Sequence, residues 1–343
     1  MIKDSVLAAL ELTELRRAER RRFLKLAGAS TAAVGGLSLL AACGGDDDDN
    51  PAPSPSPSPS PTGTPSPGTI TDGDLLNFAL NLEYLEAQFY SFAAFGVGLP
   101  DSSLTGSVGT RGGVTGGRKV AFSDPVVASY AREIAADEAA HVNFLRATIG
   151  NTVVAQPAIN IDGGPDGAFT AAARLAGLVG PTGTFDPYAN DNNFLLAAFL
   201  FEDVGVTAYK GAAPLLVSGV LLEAAAGILA AESYHAGLIR TVIYARGLDP
   251  ANGLRAGADA ISNARDALDG ITGTTGDLDQ GVTGSDPAVA NIVPADSNGV
   301  AFSRTPQQVH NILYLRNTAG IGGGFFPAGT NNAIESLRTS GAN

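Results

Sequence analysis

Two four-residue stretches, Glu138-Ala-Ala-His141 and Glu232-Ser-Tyr-His235, take up two of the chain's three histidines. Residues three apart share one face of a helix, so each stretch offers a carboxylate and an imidazole to the same point. A glutamate followed about two turns later by a tyrosine also occurs twice, as Glu83 with Tyr90 and Glu202 with Tyr209, again nearly on one face. With Arg146 and Arg240 after the two histidines, the chain reads Glu-x6-Tyr, Glu-x2-His-x4-Arg, and then both again. The bland alternative for the Glu-x2-His pairs is surface ion pairing on amphipathic helices. The small and apolar neighbours Ala139, Ala140, Val142 and Leu145, and the recurrence in register, favour a shared interior site.

The repeat lies on four long helical segments, at about residues 74–95, 125–149, 191–210 and 214–246. Asp72 or Asp74 can cap the first. Asp124 caps the second, with Pro125 in its first turn and Gly150 at its exit, and Gly247 ends the fourth. The connections are uneven: a Gly-rich loop over 96–123, a long Gly/Pro/Asp-rich crossing over 151–190, and a short turn between the third and fourth helices. Together these predict an all-α four-helix bundle with one long crossover between helices two and three. Glu202, Asp203, Glu223 and Glu232 interrupt the last two helices, so neither offers an apolar run of membrane-spanning length. The tail, 248–343, reads as loop-dominated with short helices. In it, Thr305 and Gln308 form a capping box, and Val309, Ile312 and Leu313 give one apolar face for docking on the bundle.

One glutamate from each of two helices and Glu-x2-His from each of the other two make the donor set of dinuclear iron and manganese carboxylate bundles. Two divalent ions repel, four carboxylates offset their charge, and two imidazoles favour Fe or Mn over Mg or Ca. The expected metal ligands are therefore Glu83, Glu138, His141, Glu202, Glu232 and His235, holding two Fe or Mn ions. Glu202 ends the apolar run "FLLAAFLFE", where a lone carboxylate is costly unless paired or on a metal. On the first helix Glu83 and Glu86 compete; the repeat selects Glu83 and leaves Glu86 near the ligands or solvated. Tyr90 and Tyr209 are the candidate catalytic residues, expected to hold a ligand carboxylate by their hydroxyls rather than to cycle as radicals. Asp137 is expected either to orient an imidazole or to face solvent, and His310, outside the repeat, to serve in docking or at the surface.

Residues 72–247 resemble the ferritin-like superfamily. The segments "NFALNLEYLEAQFY", "GGRKVAF", "EIAADEAAHVNFLR" and "FSRTPQQV" look like the bacterial and plant desiccation-related ferritin-like proteins, a likeness that extends into the tail. The resemblance implies an antiparallel bundle over 69–247 with the metal pair at its centre, a C-terminal extension over 248–343, and an association with stress or drying.

The N-terminal part reads as an address. "RRRFLKLAG" fits the twin-arginine pattern, an apolar stretch of alanine and glycine follows, and "LAAC" resembles a lipobox that would leave Cys43 as a lipid-bearing N-terminus. Residues 1–42 are thus expected to be a signal peptide, and 43–68, rich in Ser-Pro, an extended spacer of about 3 Å per residue. Cys43 is the only cysteine, so the exported chain has no disulfide and no thiolate metal site. The net charge of −13, with no basic patch beyond the N-terminus, argues against nucleic-acid binding. The expected setting is the cell envelope, with the domain tethered to a membrane through Cys43. An oligomer is compatible with this, although a closed iron-storage shell fits poorly with a tether and a long tail.

These features predict oxidation of Fe(II), or consumption of O2 or peroxide, as stress protection. The alternative is a non-enzymatic envelope protein of desiccation tolerance whose metal site is structural.

Overall fold

The computed structural model describes residues 69–270, 278–284 and 288–341. The signal peptide and spacer expected over 1–68, Cys43 included, lie outside the described residues. Thr71 starts the first helix, α1 (Asp72–Phe95): its hydroxyl accepts from the Asp74 amide while the Asp74 carboxylate accepts from the Thr71 N–H. The cap is thus Thr71, one residue before Asp72 and three before Asp74, the two expected aspartates. Asp72 instead accepts from the amides of Val217 and Ser218, pinning a distant turn to the start of α1. Gly96 ends α1 at φ 80°, a left-handed conformation that suits glycine. The second helix, α2 (Pro125–Ile149), is capped by Asp124 with Pro125 in the first turn, as its sequence predicts.

A two-stranded parallel sheet pairs β1 (Val114–Gly116), from the loop between α1 and α2, with β2 (Ile159–Ile161) of the long crossover, Val114 opposite Ile159, and a short helix follows, α3 (Ala168–Leu175). The third bundle helix, α4 (Asp191–Ala212), is capped by Asn190, and the fourth, α5 (Gly219–Arg246), by Ser218. α5 starts later than expected because Pro214 sits in a single 3-10 turn, Ala213–Leu215, after which the chain is extended at Leu216 and Ser218. The result is the all-α bundle with a long second crossover. α1 packs along α2, α4 along α5, and α1 meets α4 at the centre. Most of α1 and α4 is buried on all sides, whereas α2 and α5 keep an exposed face.

The tail contains a longer helix than its composition suggests, α6 (Leu254–Asp269), and the expected docking helix, α7 (Pro306–Leu313), with its Thr305–Gln308 capping box. His310 is fully buried, 3.0 Å from the Thr330 hydroxyl and edge-on to Phe78; burial pushes its pKa down to about 3, so it packs as a neutral ring.

A buried ionic cluster that no sequence motif announced fastens the tail to α4 and α5. Arg240 donates to Asp203 at 2.7 Å, Arg265 to Asp203 at 2.8 Å and to Asp279 at 2.6 Å, and Arg304 to Asp279 at 2.8 Å and Asp269 at 2.9 Å. The guanidinium carbons of Arg240 and Arg265 lie 5.3 and 4.5 Å from the centre of the Phe199 ring. Gly211 is needed where the tail crosses α4, because a Cβ there would stand 2.0 Å from the Arg304 carbonyl oxygen. Removing one member of such a cluster strands buried charge. Arg265→Met is expected to lower the unfolding free energy by about 3–5 kcal/mol in a urea titration; a loss under about 1 kcal/mol, the value of an exposed pair, would contradict a buried cluster.

Candidate metal centre

The bundle converts the linear repeat into a single interior cluster. α1 and α4 supply Glu83 and Glu202 from the inner pair of helices; α2 and α5 bring Glu138 with His141 and Glu232 with His235 from the outer pair. Potential ligand atoms of Glu83, Glu138, His141 and Glu232 lie within 4.8 Å of one another, and so do those of Glu138, Glu202 and His235. Glu138 belongs to both groups, which is where a bridging carboxylate between two ions would be. His141 Nδ1 is 3.2 Å from Glu83 and 3.6 Å from both Glu138 and Glu232. His235 Nδ1 is 3.1 Å from Glu138 and 3.7 Å from Glu202. The four glutamates are buried almost completely. His141, with 13% of its side chain exposed, and Asp137, with 24%, place the nearest solvent on the α2 side.

The second layer repeats with the first. The Tyr209 hydroxyl donates to Glu83 and the Tyr90 hydroxyl to Glu202, so each tyrosine holds the glutamate of the opposite helix. Both expected tyrosines therefore touch candidate ligands, across the α1–α4 contact rather than along one helix. Arg146 donates to the hydroxyl of Tyr84, the residue after Glu83, and Arg240 to Asp203, the residue after Glu202. Each arginine thus ties an outer helix to the residue beside an inner glutamate. One element has no counterpart: Asp137 lies 3.5 Å from His235 Nε2 on the ring edge away from the centre, while the equivalent position of the other half is Ala231. A carboxylate there fixes the imidazole's orientation and leaves Nδ1 facing inward.

The donor atoms fit a metal pair. Both oxygens of Glu138, both of Glu232, one of Glu202 and His235 Nδ1 are buried without a hydrogen-bond partner. Atoms that are close yet not aligned as hydrogen bonds, all aimed at one space, leave room for cations. Electrostatics agree. Burial, helped by Glu138 and Glu232 and opposed by His141, raises the Glu83 carboxyl to about 8. Burial and the neighbouring carboxylates also push up Glu202 and Glu232, with the imidazoles opposing. Glu138 goes the other way, its burial outweighed by both imidazoles. Burial works against a charged His235, but Asp137, Glu138 and Glu202 hold it up at about 11. A cluster that must otherwise retain protons is one that divalent cations would neutralise. Its oxygen and nitrogen donors, without thiolate, suit Fe or Mn.

Sequence reasoning left Glu86 open and passed over Tyr84, Asp203 and Gly205. Glu86 is 5% exposed and sits among the cluster's carboxylates; it is not solvated. Its signal was a mismatch in the repeat, Glu83-x2-Glu86 against Glu202-x2-Gly205.

Because metal binding must displace protons from Glu83 and His235, affinity is expected to climb as pH rises from 6, by about tenfold per unit for each proton lost. The climb should slacken near 8, where Glu83 is already ionised, and continue on account of His235. Calorimetry of Mn(II) binding in buffers of different ionisation enthalpy checks this, and binding without proton release would contradict it.

Comparison with known proteins agrees with the geometry. A desiccation-related protein of Craterostigma plantagineum is 31% identical over 246 residues, covering 69% of this chain and 76% of its own length. A ferritin-like catalase of Nesocodon mauritianus is 27% identical over 269 residues, covering 77% of this chain and 84% of its own. No solved structure matches the chain. The ferritin-like domain matches residues 71–245, the four bundle helices with all six converging ligand candidates, and the chain belongs to that family.

Proposed function

We propose that this chain is an exported redox metalloprotein, held at a membrane by a lipid on Cys43, whose dinuclear Fe or Mn centre consumes peroxide. The observation that carries the reading is the set of partnerless, inward-facing atoms of Glu138, Glu202, Glu232 and His235 at the middle of the bundle. The likeness to a ferritin-like catalase favours peroxide over O2 or Fe(II) as substrate. The likeness to a desiccation-related protein supports a role in stress, since drying raises oxidant load. The twin-arginine pattern and "LAAC" support export.

Glu83, Glu138, His141, Glu202, Glu232 and His235 would hold the ions. Two redox-active ions supply the electrons exchanged when two peroxides become two waters and one O2. The protein's own part is positional. Tyr209 and Tyr90 fix one oxygen each of Glu83 and Glu202; the other Glu83 oxygen meets His141 Nδ1 and the other Glu202 oxygen is without a partner. Asp137 orients His235 from the solvent side. The apolar packing of α1 and α4 keeps bulk water from the inner face, while the half-buried His141 marks a way in for a small molecule.

Protein loaded anaerobically with Mn(II) or Fe(II) is expected to bind about two ions per chain and to release about half an O2 per peroxide consumed. Glu138→Ala/His235→Ala should lose both ions and the activity. Metal bound tightly but inert to peroxide, O2 and added Fe(II) would favour a structural site in a desiccation protein instead. Cys43→Ser is expected to release the chain from the membrane fraction, and unchanged retention would contradict the lipid anchor.

A further inference from the structure

The tail does not fill all the space beside α4 and α5. A cavity of about 140 Å3 lies between Asp203 and Thr207 of α4, Ser233 and Gly237 of α5, and tail residues from Leu278 to Arg304. Each of these bundle helices turns one residue to the carboxylate centre and the next to the cavity: Glu202 then Asp203, His235 then Ala236. We propose that the cavity binds a small uncharged molecule with an apolar ring and one hydroxyl group, a phenol in its simplest form, whose hydroxyl donates to Asp203 Oδ1. The site needs no metal, so it stands or falls apart from the dinuclear reading.

The walls set the size and the apolar body of the ligand. Val206, Ala236, Ile292, Val293, Pro294 and Phe302 form most of the lining, and Val293, 70% exposed, stands at the rim. An apolar cavity of about 150 Å3 takes a molecule the size of benzene, so one ring with a single substituent is the limit here. Mostly apolar walls with a few placed polar groups are the usual make-up of a small-molecule site.

The polar atoms of the wall choose the head group. The Ser233 hydroxyl donates to the Leu229 carbonyl at 2.7 Å; the Thr207 hydroxyl donates to the Asp203 carbonyl at 3.1 Å and accepts from Arg304. Arg304 commits its three nitrogens to Asp269, Thr207 and Asp279, so an anionic ligand would find no guanidinium nitrogen of its own. Asp203 is different. Its Oδ2 takes both Arg240 and Arg265, while its Oδ1 is buried with no hydrogen-bond partner, the one such buried atom among the lining side chains. A buried acceptor left bare is costly, and a ligand hydroxyl would relieve it. A cationic head is disfavoured too. Within the cluster Asp203, Asp269 and Asp279 already balance Arg240, Arg265 and Arg304, so a charged ligand would lose its water without gaining a free counter-ion.

The test titrates the purified full chain with phenol, toluene and benzoate, read by calorimetry and by methyl resonances in nuclear magnetic resonance. Phenol is expected to bind once per chain with a Kd of about 0.1–1 mM. Toluene has the same shape without the donor and should bind about tenfold more weakly, because it displaces water from Asp203 Oδ1 and offers nothing in return. Benzoate, the same ring with a negative charge, should also be weaker by about tenfold or more. Ring-current shifts on the Val206 and Ile292 methyls in wild type locate the phenol whatever any variant does. Gly237→Leu is the blocking variant: a Cβ there would meet no atom within 4 Å, and leucine suits a helix better than glycine. It should melt no lower than wild type and weaken phenol by about tenfold or more. Four results would each overturn the proposal: no saturable phenol binding, toluene or benzoate bound as well as phenol, shifts confined to other methyls, or a normally melting Gly237→Leu that binds phenol unchanged. Should Gly237→Leu melt lower, the wild-type shifts and the order of the three probes decide.

Discussion

Like charges packed in a dry interior repel strongly, and this bundle gathers five carboxylates at its centre: Glu83, Glu86, Glu138, Glu202 and Glu232. Only two imidazoles stand among them. Burial lifts the carboxyls it can, Glu83 to about 8, and the imidazoles hold Glu138 down. Everything around the centre then serves to keep these groups where they would not otherwise stay. The tyrosines cross from helix to helix to grip the inner glutamates, and the arginines bind the outer helices to the residues beside them. A centre built this way is least stable empty, so cation binding and folding reinforce one another.

The two halves share a plan but differ in how they are anchored. On the α1–α2 side, Arg146 donates to the neutral hydroxyl of Tyr84 and to the Thr105 carbonyl. On the α4–α5 side, Arg240 binds the charged Asp203, which also receives Arg265 from the tail helix α6. Asp203 follows Glu202 directly, so the tail's ionic cluster begins one residue from a candidate ligand. The tail is therefore part of what fixes the face of α4 that carries Glu202. The half fixed most firmly by the tail is also the one with fewer converging donors.

Much of this was legible in the sequence because it depends only on local geometry. Glutamate and histidine three residues apart face one way on any helix, and the repeat picked Glu83 over Glu86 without knowledge of the packing. The Asp124 and Thr305 caps are equally local. What could not be read required a partner distant in sequence. The spacing of Tyr90 and Tyr209 promised a bond to a glutamate, but which glutamate depends on how α1 and α4 meet. The Arg240–Asp203–Arg265–Asp279–Arg304 cluster joins residues from α4, α5 and the tail, and nothing in a single segment distinguishes those charges from solvated ones. Pro214 pulled the expected start of α5 too early, since proline suits the first turn of a helix and a 3-10 turn alike.

Gly205 shows how a departure from a repeat can carry more information than the repeat. Two halves with one plan would place equivalent residues at 86 and 205, and two carboxylates there would compete for one space beside Glu232. Glycine at one position resolves the conflict, because it removes both the rival charge and the side chain that would block the other. The pseudo-symmetric scaffold can then carry an asymmetric centre. A position served by Glu83, Glu138, His141 and Glu232 and one served by Glu138, Glu202 and His235 differ in neighbours and in access to solvent through His141.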